Sequence, residues 1–75
     1  MTRGQFIAYK RECCGFKKME FCNLLGVCDD TLRSWERDRF KPTGINLRNL
    51  VKYLNLSDDD INTYFEYEYV PTNNV

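Results

Sequence analysis

The sequence predicts an all-α domain, a compact bundle of four to five helices. Three observations carry that prediction. Apolar residues recur three and four apart through most of the 75-residue chain, the spacing of a helix with one buried face. Prolines are few, two in all, and both fall outside the periodic segments. Gly15 and Gly26 end periodic runs, as residues suited to left-handed helix termini do. The length suits a single domain near the lower limit for a self-sufficient core. Each helix must therefore bury its apolar face against the others.

The first helix is expected over residues 5–14, with Phe6, Ile7 and Cys14 facing inward, Lys10 and Arg11 outward, and Gly15 as the stop. Phe16 then precedes the second helix as the outer half of a hydrophobic staple, with Phe21 its apolar partner. That helix runs from Lys17 or Lys18 to Leu25 and carries Phe21, Leu24 and Leu25 on one face. Gly26 is placed for a sharp left-handed turn and is the position expected to tolerate change least. The third helix spans residues 28–38, with Thr31, Leu32 and Trp35 on one face and Arg33, Ser34 and Arg37 on the other. Either Cys28 or Asp29 can occupy its N-cap, and Asp29 and Asp30 favour its first turn through the helix dipole. Spacings among Asp30, Arg33 and Arg37 allow ion pairs three or four apart.

Residues 46–54 form the clearest stripe, Leu47, Leu50, Val51 and Leu54, and Asn55 takes the closing position more often held by Gly. Ser57 and Asp60 form a capping box opening a short last helix, with Ile61 and Phe65 inward. The run from Phe65 to Val70 alternates large apolar and acidic residues, which is the period of a strand. It is open at this point whether it pairs across a dimer, lies as an extended arm or continues the helix. The chain accordingly divides into a bundle at 1–63 and a C-terminal arm at 64–75, for which dimerisation is one of these open roles.

Composition excludes several classes of function. No apolar run reaches membrane-span length, and the first residues lack the apolar stretch of a secretory leader, so a cytoplasmic protein is expected. Four cysteines without His, and without a C-x2-C pair, do not make a zinc site, and no cofactor is expected. An enzyme is not expected either. There is no His to act as general base, and Asp58, Asp59 and Asp60 are consecutive rather than opposed across a cleft. Net charge is zero, but its distribution is uneven. Residues 1–41 carry nine Lys/Arg against six Asp/Glu, and residues 42–75 two against five. The first part can therefore be oriented on a phosphate surface while the whole remains neutral.

Taken in order, Gly15-Phe16, Leu24-Leu25-Gly26-Val27, Thr31-Leu32-x-x-Trp35-Glu36-Arg37, Lys41-Pro42 and then Leu47, Leu50, Val51 and Leu54 resemble the Cro/XRE-type helix-turn-helix family of phage and bacterial transcriptional repressors. The resemblance covers about residues 5–61. Residues 30–42 are also similar to MerR-type and excisionase-type motifs. Those begin almost directly with the helix-turn-helix and continue into a wing, whereas here a full helix precedes and a leucine-patterned helix follows.

The repressor resemblance implies a homodimer on operator DNA, half-sites roughly 34 Å apart, and helix 28–38 in the major groove. Base contacts would then fall on Asp29, Asp30, Arg33, Ser34 and Arg37. Arg33 is the strongest of these, because a guanidinium can bond both O6 and N7 of guanine. Asp29 and Asp30 are acids where family members often have Gln, Arg or Ser, and they can instead cap the helix and hold Arg33. Lys17 and Lys18 at the second helix's N-terminus, with Arg39 and Lys41 after the third, would contact phosphates. Glu36 resembles the family's helix-three acid and is expected to pair with an Arg, for which Arg11 is available. Trp35 is expected in the core. Two alternatives remain on the same motif: a protein-interaction or antitoxin-like module, motivated by the two acids and zero net charge, and an excisionase-like DNA-bending factor.

Overall fold

The computed structural model describes residues 1–67, in which five helices form one bundle: α1 (Arg3–Cys13), α2 (Lys18–Leu25), α3 (Asp29–Glu36), α4 (Gly44–Tyr53) and α5 (Asp58–Glu66). Every regular element among the described residues is a helix. The core joins Phe6 and Ile7 of α1, Phe21, Cys22 and Leu25 of α2, Leu32 and Trp35 of α3, Leu50 of α4 with Leu54 just after it, and Tyr64 of α5. Phe21, Leu32 and Leu50 are the largest fully buried side chains.

One termination device recurs four times. After α1 the amide of Gly15 bonds the Glu12 carbonyl and that of Phe16 the Arg11 carbonyl, and the same pair of reverse bonds follows α2, α3 and α4. This arrangement satisfies carbonyls that the helix leaves orphaned, and it requires one residue in the left-handed region. Gly15 and Gly26 fill that place after α1 and α2, at φ 80° and 71°, but Asp38 and Asn55 fill it after α3 and α4, at φ 59° and 53°. Asn55 is the closing residue expected from the sequence. Asp38 lies inside the span expected to be helical, so α3 stops at Glu36 rather than reaching 38. The physical reason is its side chain. Asp38 is buried, and its carboxylate accepts from the Gly4 amide at 2.9 Å and from the Thr2 hydroxyl, capping α1 from across the bundle.

Several other expectations shift for identifiable reasons. α1 begins at Arg3, two residues early, because Thr2 and Gln5 make a capping box. Arg11, expected outward, is buried, and Cys14, expected inward, is exposed with its thiol on the Leu54 carbonyl at 3.6 Å. On α2 the buried third position is Cys22, while Leu24 is 41% exposed. α4 starts at Gly44 behind Thr43, and its half-buried Leu47 and Val51 flank the buried Leu50. On α5 Tyr64 is the buried residue, and Phe65, expected inward, is exposed. Tyr64, Phe65 and Glu66 belong to α5, so the period-two pattern does not make a strand at its start. The remainder of the expected arm, residues 68–75, and its dimer pairing lie outside the described residues. The staple is present: the Phe16 and Phe21 rings stack at 5.1 Å.

α5 opens on the predicted box. Ser57 Oγ accepts from the Asp60 amide and the Asp60 carboxylate accepts from the Ser57 amide, both at 3.1 Å, and Lys10 of α1 pairs with Asp60 at 3.3 Å. The Ser57 amide is the main reason that the Asp60 carboxyl titrates below its ordinary value, with Lys10 adding to it. For an acid lowered on folding, the stabilisation is complete above the ordinary carboxylate range and is lost as pH falls through the folded value. A carboxyl-carbon NMR titration should therefore place the Asp60 midpoint below the ordinary carboxylate value. Ser57→Pro, which removes the donating amide, together with Lys10→Met should raise it toward the ordinary carboxylate value. An unchanged midpoint would contradict the assignment.

Candidate nucleic-acid interface

The site is the outer face of α3 with the segments on either side of it. Its orientation begins with the turn: Gly26 is left-handed, Val27 packs against the core, and Cys28 takes the N-cap place at φ −83° and ψ 163°. Cys28, not Asp29, is thus the cap residue. Its thiol makes no backbone capping bond and instead lies 3.1 Å from the Thr31 hydroxyl. That side-chain hydrogen bond is the main reason that the thiol lies below its ordinary pKa. Leu32 and Trp35 point into the core, which turns Asp29, Asp30, Arg33, Ser34 and Arg37 toward the outside or its margin.

The far end of α3 is fastened to α1. Arg11 donates from Nε to Glu36 Oε2 at 2.7 Å and from its second terminal nitrogen to Oε1 at 3.4 Å, and both side chains are over nine-tenths buried. The other guanidinium nitrogen donates to the Phe16 carbonyl at 2.8 Å, so one side chain joins α1, the α1–α2 loop and α3. Asp38, two residues after Glu36, accepts from the Gly4 amide at the start of α1 and from the Thr2 hydroxyl. Between these two anchors the helices nearly touch. A Cβ built on Gly4 would stand 2.5 Å from the Trp35 carbonyl oxygen and 2.7 Å from that of Glu36.

The sequence-predicted reading residues are brought together on one face, with a charge arrangement of their own. Arg33 pairs with Asp29 one turn earlier and lies 3.6 Å from the Asp30 carboxylate. The two acids therefore hold the arginine that would read guanine. Ser34 is half-buried and Arg37 exposed at the helix end. Lys17 is the N-cap residue of α2 and Lys18 its first helical residue, both exposed. Glu20 reaches back to accept from the Lys17 amide at 2.9 Å, placing an acid at the end expected to meet phosphate. Arg39 and Lys41 are exposed on the α3–α4 loop.

Sequence reasoning passed over Phe40. The amides of Arg39 and Phe40 both bond the Ser34 carbonyl, at 2.8 and 3.4 Å, which folds the loop back beside α3. Phe40 is 66% exposed there and forms one wall of an open cleft of about 380 Å³ whose other wall is Asp30, Thr31, Ser34 and the edge of Trp35. The available signal was an aromatic residue set between two cations, Arg39 and Lys41. Among the described residues no group of three or more His, Cys, Asp or Glu is placed to hold a metal, and the four cysteines are free thiols. No described helix is long and apolar enough to cross a membrane. Comparison with protein-family models, curated proteins and solved structures finds no match for this chain.

Proposed function

We propose that the protein is a sequence-specific double-stranded DNA-binding regulator of transcription, a cytoplasmic, non-enzymatic repressor that acts as a homodimer through α3 in the major groove. The observation that carries this reading is the docking of α3. It is turned outward by Gly26, sealed inward by Leu32 and Trp35, and clamped at its far end by Arg11–Glu36. Such a helix presents its outer face as a rigid unit, as groove insertion requires. Lys17, Lys18, Arg39 and Lys41 flank it with positive charge.

Magnitudes favour DNA over the internal pairs of Arg33. Exposed pairs of that kind contribute about 0.3–0.5 kcal/mol each, whereas a bidentate guanine contact discriminates by about 1–3 kcal/mol. A correct base can therefore draw Arg33 away from Asp29 and Asp30. The same pairing favours the second reading, a protein-interaction module on this fold, if no nucleic acid competes for the guanidinium.

Selection from a random-sequence duplex library, followed by titration of the enriched duplex, separates the two. With four cations per subunit on phosphate, log affinity should fall against log salt with a slope of about −3.6 per subunit. Arg33→Ala should narrow the gap between specific and nonspecific affinity by about 1–3 kcal/mol. Enrichment of no duplex, or an affinity indifferent to salt, would overturn the proposal in favour of a protein partner.

A further inference from the structure

Resting on the DNA-binding reading, we propose that the cleft between α3 and Phe40 is a receptor for one T·A base pair, with Phe40 and Thr31 holding the thymine methyl group. Phe40 and Thr31 thereby join the specificity-determining residues.

The argument starts from where Phe40 stands. A lone exposed apolar residue needs no explanation. This one is held in place by the loop's two bonds to the Ser34 carbonyl, and it faces the helix to which the reading residues belong. The cations at 37, 39 and 41 alternate along the same short segment, so the ligand complementary to it is a polyanion. A polyanionic duplex offers an apolar group in its major groove only at thymine, and Phe and Thr are side chains suited to that methyl.

The polar members of the cleft agree with the same base pair. Beside the thymine methyl, a T·A pair presents the thymine O4 acceptor and the adenine N6 donor. Ser34 can donate to the first, and the Asp30 carboxylate can accept from the second. This gives Asp30 a role at the interface that phosphate contact would deny it. A C·G pair lacks the methyl and presents its donor and acceptor on opposite strands to these.

Replacing thymine by deoxyuridine removes only the methyl. Each thymine of the enriched duplex is replaced in turn and binding measured for the wild type, Phe40→Ala and Thr31→Ser. The wild type should lose about four-fold in affinity at one thymine of each half-site, the factor for burying one methyl group. Phe40→Ala should bind thymine and deoxyuridine alike at that position, with an unchanged melting temperature. Thr31→Ser, which keeps the hydroxyl beside Cys28, should show a reduced preference. Equal penalties in all three proteins, or none at any thymine, would overturn the methyl receptor while leaving duplex binding intact. Failure of the wild type to retain any duplex would instead be failure of the DNA-binding reading itself.

Discussion

Replacing Glu36 with Ala is expected to destabilise the domain by about 3–5 kcal/mol, because it leaves the Arg11 guanidinium buried with its charge unpaired. The Phe16 carbonyl still accepts from it, but Glu12, at 3.9 Å, lies on the solvent side and is 72% exposed. A chain of this length has a total stability of roughly 4–11 kcal/mol. The single substitution therefore removes a large share. Taking away both partners has a different consequence. Arg11→Met with Glu36→Leu deletes the desolvated charges together and should return stability to near the wild-type value. Urea unfolding of the two single variants and the double variant measures this as a coupling energy. Additive losses would show that the pair is not the anchor of α3.

The second large effect is expected at Gly4. An alanine methyl there would overlap backbone carbonyl oxygens of Trp35 and Glu36, which cannot rotate away as a side chain would. Either α1 moves off α3 or the end of α3 unwinds, at upward of about 3 kcal/mol, the high end of overpacking. At Gly26 a Cβ meets nothing within 4 Å, so Gly26→Ala costs only the left-handed backbone strain, about 1–2 kcal/mol. The order of severity is thus the reverse of what the turn position suggests. If the proposed DNA binding holds, Gly4→Ala should also misalign the outer face of α3 and weaken that binding even under conditions where the variant is folded. Melting temperatures of the two variants in the opposite order would refute the close crossing of α1 and α3.

The contrast between these glycines shows what can be read along a chain and what cannot. Gly26, Phe21, Leu25, Leu32, Trp35, Leu50 and Leu54 follow from local period and from helix-end chemistry, which act over four or five residues. Gly4, Arg11 and Asp38 are decided by the crossing of α1 and α3, between residues 25 to 36 positions apart. No local pattern announces that crossing. Residue type alone put Arg11 outside, although the pairing with Glu36 for which the sequence offered it is the bond that makes its burial tolerable. On α5 the alternation of aromatic and acidic residues suggested a strand. The Ser57–Asp60 box instead sets a helical register in which Tyr64, three residues after Ile61, turns inward. At the candidate site the residues of α3 were readable from their face. Phe40 was not, because its position depends on the loop folding back to Ser34.

Arg3 binds the two extremities of the described chain. Its guanidinium donates to the Tyr67 carbonyl at 2.9 Å and the Phe65 carbonyl at 3.1 Å, and it lies over the Tyr64 and Phe65 rings at 5.4 and 5.2 Å. The contact closes a loop of 64 positions, so its ordering entropy is spent only after most of the bundle has formed. α5 meets the rest of the bundle chiefly through α1, and Arg3 is its terminal fastening. Native-state amide exchange should consequently find α5 opening as a separate unit, at a lower free energy than α1 through α3. Arg3→Ala should widen that gap while leaving exchange in α2 and α3 unchanged. The protein would then be built of two cooperative parts: a frame of α1 through α4, the fourth packed on α2, and a detachable last helix.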